Sequence, residues 1–434
     1  MLRLAAARCP VVAPSPAGVA APLAAVLRLA TATTQRELST NTSPPTLRNA
    51  DTAARGEAQG QQAELPAITP VSLRGLHRYV SQPRHVDAVI ASRFLRHELP
   101  LRLRHQDASL ARLSGNTAQL ERMLRPTLER HGAISQRLAS VELPDGQSMV
   151  KRVPTLHECA WQQTQAFAAE LRAGSDELEK DVARLVGEGQ RLVEQGGHSR
   201  EVDRCMDAVH CDMVAWRLLV SEHLKAVDVL AGPPKNSVEQ RMWSARVRTT
   251  VDPECNVLAC LRNVAEDCRA FCIEKNSNSP DVSVTGDPDI HACLIEPHFA
   301  FVVTELLKNA MQPLLDRFGA WDVDEAPPIE VCLRRSHDKA GHFEVTVTDR
   351  GGGIPLRKMD SLFHWFSTSA DRHEVDNFGY SRNHGAQFTG IGVGVNMTRL
   401  YCRVMGGGVD WQSEEAHDGG TTATVWLPVH GHRI

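Results

Sequence analysis

Aromatic residues are scarce in this sequence, and tyrosine is the scarcest of them. Of the 434 residues, 5% are Phe, Trp or Tyr, and only 3 are tyrosine. A net charge of the size that general nucleic-acid binding requires is also missing, because 48 Lys and Arg face 52 Asp and Glu, which leaves a formal charge of −4. We therefore expect no nucleic-acid partner.

The 11 cysteines include no pair at the Cys-x-x-Cys spacing. Cys268 and Cys272 stand four residues apart, and Cys205, His210 and Cys211 lie close together in the sequence. Neither spacing is a standard zinc pattern. We therefore expect buried, reduced thiols and no structural metal, as is typical of a reducing compartment.

The N-terminus has no uninterrupted apolar run and no acidic residue. Four prolines break residues 1–36 well short of the length of a membrane span, and the same residues carry four arginines. This composition, rich in Ala, Leu, Val, Ser and Thr, predicts a mitochondrial transit peptide and a location in the matrix. A secretory signal or a short anchor is the alternative. Residues 37–68 are polar and rich in Pro, Gly and Ala, which predicts a flexible linker.

Residues 71–230 carry apolar side chains at helical spacing. Helices are predicted over Ser72–Ser81, Val86–Arg104, Leu110–Leu138, Thr155–Gly196 and Glu201–Leu230. Four long helices joined by short polar breaks predict an antiparallel four-helix bundle, which we assign to residues 69–232.

Strands appear only after this region, in residues 251–434. The predicted strands are Asp281–Thr285, Ile329–Leu333, Phe343–Thr348, Val409–Gln412 and Thr421–Leu427. Helices are predicted over Asn256–Ile273, Pro297–Phe318 and Gly392–Met405. This order predicts an α/β sandwich, in which a mixed sheet carries helices on one face. The fold class is thus a four-helix bundle followed by an α/β sandwich.

An acid and a glycine run follow the predicted strand Phe343–Thr348. The run reads Asp349-Arg350-Gly351-Gly352-Gly353-Ile354-Pro355. A carboxylate at a strand end can accept a hydrogen bond from an exocyclic amine, and glycines let a flat base or a phosphate approach the backbone. A plain strand and turn is the alternative, because Asp and Gly are the commonest turn residues.

Two further segments favour a nucleotide site over that alternative. Glu305 and Asn309 stand four residues apart on the predicted helix Pro297–Phe318, so both lie on one face. Gly390-Ile391-Gly392-Val393-Gly394 opens the predicted C-terminal helix, as expected of a phosphate cradle. The three segments together are far more specific than any one of them.

In this order, the three segments resemble the GHKL ATPase superfamily, which includes DNA gyrase and the histidine kinases. The resemblance implies ATP as the nucleotide, Asn309 as the Mg²⁺ ligand and Asp349 as the acid that recognises adenine, assisted by Thr421 of Gly420-Thr421-Thr422. It implies that Gly351 and Gly353 lie under the base. It assigns the phosphate loop to Gly390, Ile391, Gly392, Val393 and Gly394, and a mobile lid to residues 356–389.

Both halves of the chain also resemble the mitochondrial 2-oxoacid dehydrogenase kinases. The matching segments are Ser92–Leu103, Met213–His223, Asp252–Val257, Asp349–Lys358, Phe366–Ala370 and Met397–Tyr401. The resemblance runs from about residue 70 to the end and adds Ser367 and Thr368 to the nucleotide-binding residues. It implies a protein serine/threonine kinase that inactivates the dehydrogenase component of a 2-oxoacid dehydrogenase complex. It also implies binding to the lipoyl domain of the acyltransferase core, and a homodimer.

Within this resemblance, Glu305 is the catalytic residue, placed to accept the proton of the incoming serine hydroxyl. Lys308 either points to phosphate or only solvates a helix face. His223 either supports the catalytic face or, as more often for a helix histidine, is simply packed and hydrogen-bonded.

Two questions stay open at the level of sequence. His97-Glu98-Leu99-Pro100 is similar to the phosphoacceptor segment of histidine kinases, but Pro100 follows too soon, so a histidine kinase is a minor alternative beside a non-kinase ATP switch. The substrate is the second question. Phe301 and Thr304–Asn309 are similar to the branched-chain enzyme, whereas Pro355–Lys358 and Phe366–Thr368 are similar to the pyruvate enzyme, which we place slightly ahead.

Overall fold

The computed structural model describes residues 65–114, 118–144, 154–196, 199–234, 240, 243–244, 246–367 and 392–434, all within one compact unit. The predicted transit peptide, most of the predicted linker and residues 368–391 lie outside the described residues. Among the helices that are described, none has the length and apolar composition needed to cross a bilayer.

Five helices make up the first part of the structure. They are α1 (Leu73–Ser81), α2 (His85–Ser114), α3 (Ala118–Ser140), α4 (Pro154–Gly196) and α5 (Arg200–Ala231). The Ser72 hydroxyl accepts a hydrogen bond from the Gly75 N–H at the start of α1, and Ser199 caps α5 in the same way. The four long helices α2–α5 pack around one apolar core that includes Leu99, Leu124, Phe167, Leu171 and Trp216.

The break between the second and third predicted helices was placed wrongly. Leu110 was assigned to the third helix, but α2 continues to Ser114 and α3 begins only at Ala118. The reason is the core face of α2, since Leu99, Leu103 and Leu110 are all buried on it. Helix α2 also continues through Pro100, and His97 is exposed on its surface.

The second part of the structure alternates strands and helices. Its strands are β1 (Val251–Asn256), β2 (Val282–Gly286), β3 (His291–Ile295), β4 (Ile329–Arg335), β5 (His342–Thr348), β6 (Gly408–Ser413) and β7 (Thr421–Pro428). Its helices are α6 (Val257–Asn276), α7 (Glu296–Asp322), the single turn α8 (Leu356–Met359) and α9 (Gly394–Val404), with 3₁₀ turns at Val323–Glu325 and Asp360–Phe363. All five predicted strands and all three predicted helices are present, with ends shifted by a few residues.

Five strands form a mixed sheet in the order β2-β4-β5-β7-β6, in which only β2 and β4 are parallel. Directly opposed pairs such as Val331 with Val347 and Val345 with Val425 are buried on one face. The opposite face carries threonine pairs such as Thr348 with Thr422. Helices α6, α7 and α9 pack against the apolar face, which confirms the predicted fold class.

A second, two-stranded sheet was not predicted. Strand β1 pairs antiparallel with β3, with Val251 opposite Ile295 and Cys255 opposite Ala292. Its sequence, Val-Asp-Pro-Glu-Cys-Asn, is short, contains proline and is mostly polar, so it has no strand signal of its own. The pairing comes from β3 and from α1, which packs against both strands.

Candidate functional site

Asp349 lies directly after β5 and is almost completely buried, with 5% of its surface exposed. Its Oδ1 atom accepts hydrogen bonds from the backbone N–H of Gly351 at 2.8 Å and of Thr421 at 3.4 Å. The Asp349 N–H in turn donates to the Thr421 carbonyl at 2.9 Å. Both bonds that described residues make to the carboxylate end on Oδ1, so the other oxygen is left for a ligand.

The β6–β7 end of the sheet supports this acid. The Thr421 hydroxyl lies 2.9 Å from the Ser413 hydroxyl, which also accepts a hydrogen bond from the Ile354 N–H at 2.7 Å. A Cβ atom on Gly420 would stand 1.9 Å from the Asp349 carbonyl oxygen, so the two strand ends are in backbone contact. Ser413 is a supporting residue that the sequence analysis missed.

The glycines after Asp349 run against two surfaces that leave no room for a side chain. A Cβ on Gly351 would lie 2.6 Å from the Cβ of Pro313 on α7. A Cβ on Gly353 would lie 2.0 Å from the Glu414 carbonyl oxygen, and Gly353 also has a φ of +76°. Both positions therefore require glycine, and the backbone of the run packs closely between Pro313 and Glu414 beside the acid.

Glu305 and Lys308 lie in the middle of α7, on the N-terminal side of Pro313. Glu305 is buried, with 6% of its surface exposed, and its Oε1 atom lies 2.8 Å from the Lys308 ammonium. A Cβ on Gly394 would stand 2.2 Å from Glu305 Oε2, so the first residue of α9 touches the carboxylate. The start of α9, where backbone N–H groups lack helical partners, is thus held beside Glu305.

These contacts place both glycine segments along one face of α7, and we call the space between them over this helix the cleft. Gly394 meets α7 at Glu305, and Gly351 meets it at Pro313, two turns or about 12 Å further along the helix. Asn309 lies midway between them on the same face and is exposed. The predicted acid, the predicted base and both glycine segments are therefore lined up along one helix.

Gly392 and Ser367 are also brought together. Gly392 has a φ of +73°, and its carbonyl accepts a hydrogen bond from the Phe366 N–H at 2.9 Å. A Cβ on Gly392 would lie 2.3 Å from the Ser367 carbonyl oxygen. Val393 is buried behind this contact. The predicted site residues Thr368, Gly390 and Ile391 lie outside the described residues.

His223 is held inside the helical part of the structure, among residues of α1, α2 and α4. Its Nδ1 atom lies 2.8 Å from the Tyr79 hydroxyl, its Nε2 atom lies 3.1 Å from the Ser92 hydroxyl, and its ring stacks on Tyr79. Burial, with a smaller contribution from Arg172, lowers the pKa of His223 to about 3. Its contacts are those of a neutral, packed histidine, and none of them reaches the cleft.

Two acids on α5 hold the segment that leads toward Gly392, and we call this contact the α5 clamp. Asp203 accepts hydrogen bonds from the Trp365 N–H at 2.8 Å and from His364 Nδ1 at 2.7 Å. Asp207 accepts one from the Trp365 indole at 2.9 Å and two from Arg399 of α9, each at 2.9 Å. Sequence analysis missed the clamp, although its two acids stand four residues apart on a predicted helix.

Comparison with known proteins adds the family. Residues 295–431 match the family model described as histidine kinase-, DNA gyrase B-, and HSP90-like ATPase. The matched range contains Glu305, Asn309, Asp349 and both glycine segments. The C-terminal part of the chain, residues 295–431, therefore contains a domain of the GHKL ATPase type.

Similarity extends beyond this domain to particular kinases. The chain is 24% identical over 367 residues to the mitochondrial pyruvate dehydrogenase (acetyl-transferring) kinase of Arabidopsis thaliana. This alignment covers 83% of the present chain and 90% of the Arabidopsis protein. It is 29% identical over 238 residues to kinase isozyme 1 of Homo sapiens, and 27% identical over 230 residues to kinase isozyme 4 of Ictidomys tridecemlineatus. The last two alignments span about half of this chain and half of each relative. These matches confirm the resemblance to the 2-oxoacid dehydrogenase kinases.

The match to an ATPase family model implies that this domain binds ATP. The geometry fits that ligand, because a buried acid with one oxygen left for a donor lies beside a glycine run whose backbone carries no side chains. At the other end, the start of α9 offers backbone N–H groups to phosphate.

Binding of the base should depend on pH through Asp349. Burial raises the pKa of this carboxyl, although the backbone N–H groups of Gly351 and Thr421 oppose the shift. Only the ionised form is purely an acceptor for an adenine amine, so affinity should fall as the pH drops through the raised pKa. Adenosine is the ligand for this test because it has no phosphate to titrate. We expect its affinity to fall at a pH above the usual pKa of an exposed aspartate. Calorimetric titration from neutral to acidic pH measures this.

Asp349→Asn supplies the control for that titration. This variant should bind adenosine weakly at neutral pH and should show no acid transition of its own. If wild type and Asp349→Asn lose affinity at the same pH, another group controls the effect.

Removing one acid of the α5 clamp should destabilise the protein. In Asp207→Asn the charge of Arg399 loses its partner carboxylate, and the single amide oxygen cannot accept all three hydrogen bonds that the two donors, Trp365 Nε1 and Arg399 Nη2, now make. We expect the free energy of unfolding to fall by about 1–3 kcal/mol, as for other losses of hydrogen bonds to charged groups. Asp176→Asn, an exposed acid on α4, is the matched control and should change stability by less than about 0.5 kcal/mol. Urea denaturation compares the two, and equal effects would show that the clamp adds nothing.

Proposed function

We propose that this chain is a protein serine/threonine kinase of the mitochondrial matrix that phosphorylates and inactivates the dehydrogenase component of a 2-oxoacid dehydrogenase complex. One observation carries the proposal: Glu305 lies on the floor of the nucleotide cleft, paired with Lys308 and touching the first residue of the α9 helix. A carboxylate in this place serves phosphate transfer to an incoming hydroxyl.

ATP is oriented from both ends of the cleft in this proposal. Asp349 accepts a hydrogen bond from the adenine amine, and Gly351 and Gly353 let the ring approach the backbone. The segment Gly392–Gly394, which leads into α9, donates backbone N–H groups to the phosphates. The asymmetry of the two ends fixes the direction of the nucleotide, with its terminal phosphate at Glu305.

Asn309 fits the role of a magnesium ligand, because its side chain is exposed on the cleft floor between the two ends. Magnesium prefers oxygen ligands, and its charge, when it is bound, would neutralise the phosphates. The amide oxygen of Asn309 would hold the ion from the α7 side.

Glu305 is the proposed general base. Its carboxylate accepts the proton of the attacking serine hydroxyl, or orders that hydroxyl for attack. Lys308 holds Oε1 at 2.8 Å, and Gly394 confines Oε2, so the carboxylate is fixed from both sides. Most of the rate of phosphate transfer comes from such positioning and from charge stabilisation.

Pyruvate dehydrogenase is the preferred substrate in this proposal, since the relatives in Arabidopsis and humans are named as its kinases. The branched-chain dehydrogenase is the alternative, which Phe301 and the segment Thr304–Asn309 favour. The matrix location rests on the composition of residues 1–36 and on the mitochondrial names of the relatives. Binding of a lipoyl domain by α2–α5 and assembly as a homodimer follow from the family resemblance.

The test offers purified protein, labelled ATP and Mg²⁺ to pyruvate and branched-chain dehydrogenase complexes side by side. We expect acid-stable label on serine of the pyruvate enzyme, and its loss in Asn309→Ala. Stable label on the branched-chain enzyme instead would reverse the choice of substrate. Acid-labile label on the chain itself would indicate a histidine kinase, and binding of ATP with no label on any protein would indicate an ATP switch.

A further inference from the structure

Two cysteines, Cys255 and Cys260, flank the start of α6. Asn256 caps this helix, because its side-chain oxygen accepts a hydrogen bond from the Ala259 N–H at 2.9 Å. Cys255 therefore stands just before the cap and Cys260 at the fourth helical position. Side chains at these two positions pack against each other in a hydrophobic staple. The staple here is made of two thiols.

The two thiols differ in access. Cys255 lies on β1 and is buried, with 4% of its surface exposed, whereas Cys260 is partly exposed. The neighbouring Cys260 thiol raises the pKa of Cys255, as burial and the carboxylates of Asp252 and Glu296 also do. The Cys255 thiol lowers the pKa of Cys260, against burial and the same two carboxylates. The thiol that reagents can reach is thus the one whose thiolate is stabilised by its neighbour.

We propose that Cys255 and Cys260 form a redox-active dithiol, which a small-molecule disulfide such as glutathione disulfide oxidises to an intramolecular disulfide. The inference rests on the capping geometry of α6 and does not depend on the proposed kinase activity. Each partner has a separate role. Cys260 is the attacking thiol, and Cys255 is the resolving thiol.

The reaction balances as two exchange steps. The Cys260 thiolate attacks one sulfur of glutathione disulfide, so the reagent's S–S bond breaks, a mixed disulfide forms and one glutathione thiolate leaves. The Cys255 sulfur then attacks the Cys260 sulfur, and the mixed disulfide breaks. The second glutathione leaves as a thiol that carries the proton of the Cys255 thiol. The protein loses two electrons and glutathione disulfide gains them.

The same helix supplies an internal comparison. Cys268 and Cys272 are also separated by about one helical turn on α6, and both are buried. Their thiols turn to other partners, Cys272 to the Asn278 carbonyl at 3.5 Å and Cys268 to Thr304. Burial raises the pKa of Cys268 to about 11, so it should react slowly. Proximity along a helix is therefore not enough, and the staple distinguishes the first pair.

A disulfide at the staple would tie the end of β1 to the first turn of α6. Reduction by a thiol would restore the open pair, because a disulfide that forms by exchange is reversed by exchange. The site is thus suited to reversible modification in a thiol-rich compartment.

The test incubates the folded full-length protein with glutathione disulfide, quenches it with acid and maps cysteines by peptide mass spectrometry. We expect Cys260 to react at least about tenfold faster than Cys268 or Cys272. The wild-type product should be the Cys255–Cys260 disulfide, reversed by dithiothreitol. Cys255→Ser should stop at the mixed disulfide on Cys260, and Cys260→Ser should leave Cys255 unmodified. The double variant Cys268→Ser/Cys272→Ser should behave as wild type.

The map of modified cysteines in the wild-type protein is enough to overturn the proposal. The test therefore does not depend on whether the serine variants fold. A mixed disulfide that accumulates on wild-type Cys260 without resolving would show that the two sulfurs do not reach each other. Absence of reaction at Cys260 would leave the pair as an inert apolar staple. Reaction first at another cysteine would assign the reactive thiol elsewhere.

Discussion

Replacing Glu305 with glutamine is expected to lower the rate of phosphate transfer by about 10²- to 10⁴-fold, the range for loss of a general base. Glutamine keeps the size of the side chain but cannot accept the proton of a hydroxyl. ATP should still bind, because Asp349 and the glycine run at the other end of the cleft are unchanged. Single-turnover transfer to the dehydrogenase and calorimetric binding of ATP separate the two quantities.

Glu330→Gln is the control for this experiment, since Glu330 is an exposed carboxylate on β4 with the same chemistry and no place in the cleft. It should transfer phosphate at the wild-type rate. Full activity in Glu305→Gln would remove Glu305 from its assigned role. Loss of ATP binding together with activity would mean that the carboxylate organises the cleft and is not a base.

Replacing Gly353 with alanine is expected to damage both stability and nucleotide binding. The new Cβ would stand 2.0 Å from the Glu414 carbonyl oxygen, so one of the two backbone segments must move. The φ of +76° adds a cost of about 1–3 kcal/mol for a residue other than glycine. We expect ATP affinity to fall at least about tenfold, which corresponds to 1.4 kcal/mol. Calorimetry for binding and thermal unfolding for stability measure the two effects.

Gly187→Ala in α4 is the matched glycine control. Its Cβ would meet nothing within 4 Å, and the residue is helical. Alanine there should raise stability by about 0.5–1 kcal/mol and leave ATP affinity unchanged. If Gly353→Ala bound ATP as well as Gly187→Ala does, the loop after Asp349 would be too compliant to define the base pocket.

Local sequence patterns were enough for most of the fold. Helices with long apolar stripes, such as α4 and α5, and the alternating strands β5 and β7 fall within a few residues of their predicted ends. The errors have a different physical origin. Strand β1 exists because β3 pairs with it, and the end of α2 depends on Leu110 packing in a core built from other helices.

The site divides in the same way. Sequence patterns alone were enough to propose Asp349 and the glycine runs, which follow a strand or open a helix, and Glu305, which stands one helical turn before Asn309. What the sequence could not supply was their mutual placement, such as Gly394 against Glu305 and Gly351 against Pro313. The α5 clamp joins residues about 160 positions apart, as in the bond from Trp365 to Asp203, and no local pattern reports such a contact.

The α5 clamp also means that residues 251–434 do not form an independent domain that could be moved to another protein. Trp365 is completely buried, and its ring stacks on His210 of α5 at 4.6 Å. Gly189 on α4 gives Phe366 its place, because a Cβ there would come within 2.9 Å of the Phe366 ring. In a chimera that joins residues 251–434 to helices of another protein, the Trp365 side chain would be exposed to solvent. The chimera would also need the equivalents of Asp203, Asp207 and Gly189. The two parts of the chain are therefore constrained to diverge together in evolution.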